Sequence, residues 1–131
     1  MEIFWIIVLG FIILTALLLV FLIKKQQRLS SGVIKKIKKE ILGIQGLDPI
    51  HRLYESDKLL DYCLKQKKVS GKTMGERMKR YGNAFTNTQA VWKAHKLRNT
   101  LAHEIGANPS EKELLSAVNA LIREVKAFIG N

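Results

Sequence analysis

The chain has 131 residues, 47% of them apolar and 25% charged, with a formal net charge of +11. That length suits one small domain and excludes two independent cores. One cysteine, Cys63, and three histidines, His51, His95 and His103, exclude a disulfide framework and argue against a Cys/His zinc site, so no cofactor or metal is expected.

The first element is an apolar helix. Residues 3 to 23, from Ile3-Phe4-Trp5 to Phe21-Leu22-Ile23, carry no charge. At about 1.5 Å per residue they reach about 31 Å, enough to cross a hydrocarbon core of about 30 Å. A buried core helix does not explain the stretch, because it is apolar on every face and too little chain remains to enclose it. A cleaved signal fits poorly. The only charge ahead of the run is Glu2, the run is too long, and it ends in Val20-Phe21-Leu22-Ile23-Lys24-Lys25 with no small-x-small site. The reading is a retained single-pass anchor, residues 1–24.

Residues 25–33 read as a basic juxtamembrane linker, with Leu29 to Gly32 as its hinge. Between residues 24 and 39 stand Lys24, Lys25, Arg28, Lys35, Lys36, Lys38 and Lys39, and no acidic residue. Lysine and arginine excess marks the cytoplasmic side, which places the N-terminus outside and residues 24 to 131 inside. Trp5 suits the outer interface. The same seven side chains offer contact with anionic lipid headgroups, and they need no nucleic-acid partner.

From residue 34 to 131 the pattern is helical, giving an all-α protein: one transmembrane helix, then a bundle of four to five helices. There is no strand alternation and no Asn-Gly or Asp-Gly hairpin turn. The expected helices run from about Gly32 to Leu42 (Ile34, Ile37 and Ile41 on one face), Pro49 to Lys68, Met74 to Tyr81, Asn87 to Ile105, and Glu111 to Ile129. Asp48-Pro49 marks an N-cap and first helical residue. Thr73 with Glu76, Thr86 with Gln89 and Ser110 with Glu113 match the capping box. Gly46, Gly71, Gly82 and Gly106 fall where helices should stop. The core suffices for one marginal domain, which favours self-association.

Two apolar stripes carry polar interruptions. Asp57 falls among Ile50, Leu53, Tyr54, Leu60 and Leu64. His95 and Arg98 fall among Val91, Ala94, Ala102 and Ile105. A charge on a core-facing stripe is costly unless paired. Either Asp57 and Arg98 pair between the two helices, or both sit at a stripe edge and snorkel to water. Trp92 and Cys63 read as core residues.

The segment with chemistry is Arg98-Asn99-Thr100-Leu101-Ala102-His103. A guanidinium can bind a non-bridging phosphate oxygen in a fork and stabilise developing charge. An imidazole can take a proton from a hydroxyl or give one to a leaving oxygen. Asn99 and His103 are i and i+4, so Asn99 is placed to orient the imidazole or to contact phosphate. Arg98 stands about 140° from His103 on an ideal helix and must reach around it unless the helix ends there. By residue chemistry alone, a surface Arg and His pair is the ordinary reading. Gly71-Lys72-Thr73 lacks the upstream glycine pattern of a P-loop and reads as a loop with an N-cap.

The arginine, the polar residue directly after it and a histidine four positions further on resemble the hallmark of the higher eukaryotes and prokaryotes nucleotide-binding (HEPN) superfamily of helical bundles. The wider text is similar to bacterial members: Asp57-Lys58-Leu59-Leu60-Asp61, and Ala94-His95-Lys96-Leu97 leading into Arg98 and on to His103-Glu104. The resemblance covers about Ile34 to Phe128 and leaves the apolar helix outside. It implies a metal-independent endoribonuclease with Arg98, Asn99 and His103 catalytic and with Asp57, His95 and Glu104 in support. It also implies a homodimer in which arginine and histidine meet, and attack of an RNA 2′-hydroxyl on the adjacent phosphate; DNA is not expected as a partner. Other members of the superfamily are non-catalytic binding modules, so a membrane-tethered module for a protein or nucleotide is the alternative.

Overall fold

A computed structural model describes residues 1–26 and 28–130 of the chain. The side chains of Lys24 and Lys25, expected at lipid headgroups, and the linker residue Gln27 lie outside the described residues. The elements are α1 (Glu2–Gln26), α2 (Ser31–Gln45), α3 (Pro49–Gln66), α4 (Met74–Tyr81), a 3-10 turn (Gly82–Ala84), α5 (Thr88–His103) and α6 (Glu111–Phe128). Among the described residues there is no strand.

From Ile3 to Ile23 the helix α1 is apolar on every face and buries none of its side chains, most of the large ones being about half or more exposed. It is long and apolar enough to cross a bilayer. The remaining helices form a small bundle around α3, which packs on α2, α4, α5 and α6. Its core joins Ile37, Ile41 and Ile44 of α2 to Leu53, Leu60, Cys63 and Leu64 of α3, Val91 and Ala94 of α5, and Leu114, Leu121 and Val125 of α6. Each fully buried aliphatic side chain of this kind contributes about 1.5–3 kcal/mol.

Short polar side chains start these helices. Ser30 accepts from Val33 N, and Asp48 accepts from Ile50 N and His51 N with Pro49 as the first helical residue. Thr73 accepts from Glu76 N, whose carboxylate reaches back to Lys72 N at 2.7 Å rather than to the cap residue itself. Ser110 and Glu113 form the reciprocal capping box. Gly71 admits no side chain, since a Cβ there would stand 2.9 Å from Arg77 Cγ and from Arg77 N. That closeness lets Arg77 donate to the Gly71 carbonyl at 2.6 Å while its guanidinium grips Asp61 at 2.7 and 3.0 Å.

Four details depart from the sequence reading. First, α2 begins at Ser31, so Ser31 and Gly32 of the expected hinge are helical, and it continues to Gln45, adding Ile44 to its buried face. Second, Ile50 is largely exposed, and the α3 stripe is completed instead by Ser56, Leu59 and Cys63. Third, α5 stops at His103: Glu104 turns extended, and Gly106 takes a left-handed φ of 81°. Ile105 is thereby carried out of the helix and fully exposed, and Ala102 is exposed too. Fourth, the N-cap of α5 is Asn87, not Thr86. The buried carboxylate of Glu124 on α6 accepts from Thr86 N and Asn87 N at 3.0 and 2.9 Å, which moves the side-chain cap one residue on, where Asn87 accepts from Ala90 N.

Candidate functional site

The crossing of α3 and α5 brings Asp57 against His95 and Arg98. Asp57 is the centre of the cluster and is buried. Its Oδ1 lies 2.9 Å from His95 Nδ1, and its Oδ2 lies 3.5 Å from Arg98 Nε, an ion pair without a formed hydrogen bond. Of the two alternatives for the interrupted stripes, the structure has the pair, and His95 is a third member of it. A carboxylate removed from water needs such partners on both oxygens.

Asn99 extends the network along α5. Its amide nitrogen stands 3.3 Å from His95 Nε2, and its amide oxygen accepts from Arg98 Nη1 at 3.1 Å. These contacts agree on one proton arrangement. The Asn99 amide donates to Nε2, so Nδ1 carries the imidazole proton and donates it to Asp57. The ring of Tyr54, one turn before Asp57 on α3, lies under the guanidinium with 5.2 Å between Arg98 Cζ and the ring centroid. Trp92 meets His95 edge-on at 6.2 Å and is half-buried rather than core. Arg98 is thus fixed through Nε, Nη1 and its π face, with its side chain 27% exposed. Its Nη2 makes no hydrogen bond among the described residues.

His103 is the last residue of α5 and is exposed. Its imidazole has no partner among the described residues. The expected pairing of Asn99 with His103 is not formed, because the Asn99 amide is already held between His95 and Arg98. Glu104 is the exposed C-cap of α5, and its side chain takes no part in the cluster. Of the six residues singled out by sequence, Asp57, His95, Arg98 and Asn99 are brought together, and His103 and Glu104 stand apart from them at the end of the helix. In the sequence Tyr54 reads only as an apolar stripe residue. Its i, i+3 spacing to Asp57 was the available signal that it shares that face. A groove of about 390 Å³ between α5 and α6, lined by Ala94, Leu97, Thr100 and Ala117, involves a different set of α5 residues.

Chemically, the cluster presents a partly exposed guanidinium whose orientation is fixed from behind by a carboxylate. A guanidinium so held is prepared to receive an anion without first being ordered. Among the described residues, no group of three or more His, Cys, Asp or Glu side chains gathers in a way that could hold a metal ion. Comparison of the chain with protein-family models, with curated proteins and with solved structures returns no match.

Proposed function

We propose that this is a single-pass membrane protein whose helical bundle is a HEPN-like domain on the cytoplasmic side, and that it cleaves single-stranded RNA without a metal ion. The observation that carries this reading is the Asp57–His95–Asn99–Arg98 network, which holds a partly exposed Arg98 in a fixed orientation on the helix that ends in the exposed His103. Arg98 contacts a non-bridging phosphate oxygen and stabilises charge as it develops. An imidazole takes the proton of a ribose 2′-hydroxyl, whose oxygen attacks the adjacent phosphorus. The bond to the 5′-oxygen breaks, and that oxygen receives a proton from an imidazolium. The products are a 2′,3′-cyclic phosphate and a 5′-hydroxyl end.

Geometry also favours two copies. Arg98 and His103 are separated by about 7.5 Å of helix rise and about 140° of rotation. One helix therefore points them in different directions, whereas a second copy's α5 supplies one histidine to each Arg98, and that imidazole takes the 2′-hydroxyl proton and then, as the imidazolium, gives it to the departing 5′-oxygen. The test is cleavage by the full-length protein in neutral detergent with a metal chelator present. Cyclic phosphate ends from diverse single-stranded RNAs, with DNA left intact, support the reading, and no product from any RNA overturns it. A second reading, a non-catalytic module for a protein or nucleotide, is favoured by the pairing of Arg98 with Asp57 and Asn99, which also suits a purely structural arginine. Retained binding with no cleavage selects it.

A further inference from the structure

The helix α2 is two-sided in an unusual way. Ile37, Ile41 and Ile44 are buried against the bundle, and Leu29 and Val33 pack on the same core. Lys36 turns toward α3, where its ammonium stands 4.8 Å from the Tyr62 ring centroid. Glu40, the one carboxylate of α2, lines the same cleft as Lys36, Glu55 and Lys58. What remains outward is Lys35, Lys38, Lys39 and Leu42, at i, i+3, i+4 and i+7, and therefore one continuous face. That face holds three cations, no anion, and a leucine 68% exposed.

Its place in the chain supplies the occupant. The apolar run ends at Ile23, and only four residues separate α1 from α2. With three more helical residues and a fully extended connection, α2 starts within about 20 Å of the hydrocarbon edge. Resting on the membrane anchoring proposed above, we infer that α2 lies on an anionic bilayer surface, with Lys35, Lys38 and Lys39 at the headgroups and Leu42 inserted between them. Among the four lysines of α2 this selects three, because Lys36 belongs to the contact with α3. It also fixes how the bundle stands, since α2 is joined to α3 through its buried isoleucines and its lipid face sets which side of the domain is turned from the membrane. An apolar side chain among lysines is the pattern of interfacial helices, whose binding adds buried apolar area to electrostatic attraction.

The experiment places an environment-sensitive fluorophore at Leu42→Cys in the full-length protein, reconstituted in vesicles of phosphatidylcholine alone or with 30% phosphatidylglycerol. The native Cys63 is buried, and burial pushes its thiol up to about 12, so it resists labelling at neutral pH. The expected result is a blue shift and quenching by brominated acyl chains in the anionic vesicles. A label at Asn119→Cys, on an exposed part of α6, stays water-like. Each lysine near an anionic surface is worth about fivefold in partitioning, so Lys35→Gln/Lys38→Gln/Lys39→Gln lowers the inserted fraction by up to about a hundredfold. Glutamine keeps the helix propensity, and unchanged helical circular dichroism confirms the fold. A label at residue 42 that stays water-like in anionic vesicles overturns the inference. So does a shift produced by oligouridylate in neutral vesicles but not by anionic lipid, which assigns the face to RNA. Failure of the anchoring itself reads differently: the chain then leaves the vesicles on flotation after an alkaline wash, whatever the label at residue 42 reports.

Discussion

Asp57 has two partners and one role, which is to hold His95 and Arg98 while staying out of water. Removing it leaves an imidazole N–H and a guanidinium Nε facing a cavity. Unsatisfied buried donors cost about 1–3 kcal/mol each, and Arg98 recovers part of that by moving to solvent from its half-buried position. Asp57→Ala is expected to lower stability by about 2 kcal/mol, read from denaturant unfolding; a loss below about 0.5 kcal/mol contradicts the buried pairing. Arg98→Lys keeps the charge but loses the fork that faces Asp57, Asn99 and a phosphate together, so cleavage should fall at least tenfold with little change in fold. His103→Ala, at an exposed position with no partner among the described residues, should leave the helical circular dichroism intact and lower the cleavage rate about a hundredfold or more. Equal cleavage by wild type and His103→Ala removes His103 from the reaction. The sequence pointed to Asp57, His95 and Arg98 because charges interrupted apolar periodicity. It did not reveal that Asn99 serves His95, because i−4 and i+4 neighbours are equally close on a helix and only packing selects between them.

At the level of elements, what was legible was local. The starts of α3, α4 and α6 follow from Asp48-Pro49, Thr73 and Ser110, whose caps need only residues within a few positions. The start of α5 is set by Glu124, some forty positions on, and no window of sequence contains both partners. The bidentate hold of Arg77 on Asp61 is hidden for the same reason. Ile105 misled because its spacing continues the α5 stripe, while the backbone turns at Glu104 before reaching it. The caps have a consequence in acid. The hydrogen bond from the Ser110 side chain, and then that from its backbone N–H, hold the Glu113 carboxyl below its ordinary 4.5. At Asp48 the His51 backbone N–H, followed by the His51 ring, holds the carboxyl below 3.8. A carboxyl lowered by folding adds stability that is complete above its ordinary value and lost as pH falls through the lowered one. The thermal midpoint should therefore fall as the pH drops below about 4.5, and less steeply in Glu113→Gln, where the amide oxygen keeps the cap but does not titrate. Identical acid slopes for the two proteins exclude this contribution from Glu113.

At the scale of the whole molecule, the reaction, the membrane and the second copy constrain one another. RNA is available on the cytoplasmic side, so the proposed chemistry requires the bundle to face inward. The flank after Ile23 is basic and the flank before it holds only Glu2, and translocation is biased against lysine and arginine. A reporter fused after Asn131 is expected to be cytoplasmic, and replacing Lys24, Lys25 and Arg28 by neutral residues should move part of the population to the opposite orientation. An exterior reporter signal from the unaltered chain refutes the orientation and, with it, access to RNA. The proposed anchoring would also restrict two copies to a plane, raising their encounter frequency without any added contact area. If cleavage needs Arg98 of one copy and His103 of the other, a mixture of Arg98→Ala and His103→Ala proteins in one vesicle population should regain activity that neither has alone. In a random dimer of the two variants, half the dimers are mixed and each has one intact pair, so about a quarter of wild-type activity is expected. Recovery at that level assigns the reaction to a shared site. No recovery in co-reconstituted vesicles, with both variants folded and dimeric, places Arg98 and His103 of one α5 in the same reaction and removes the need for a second copy.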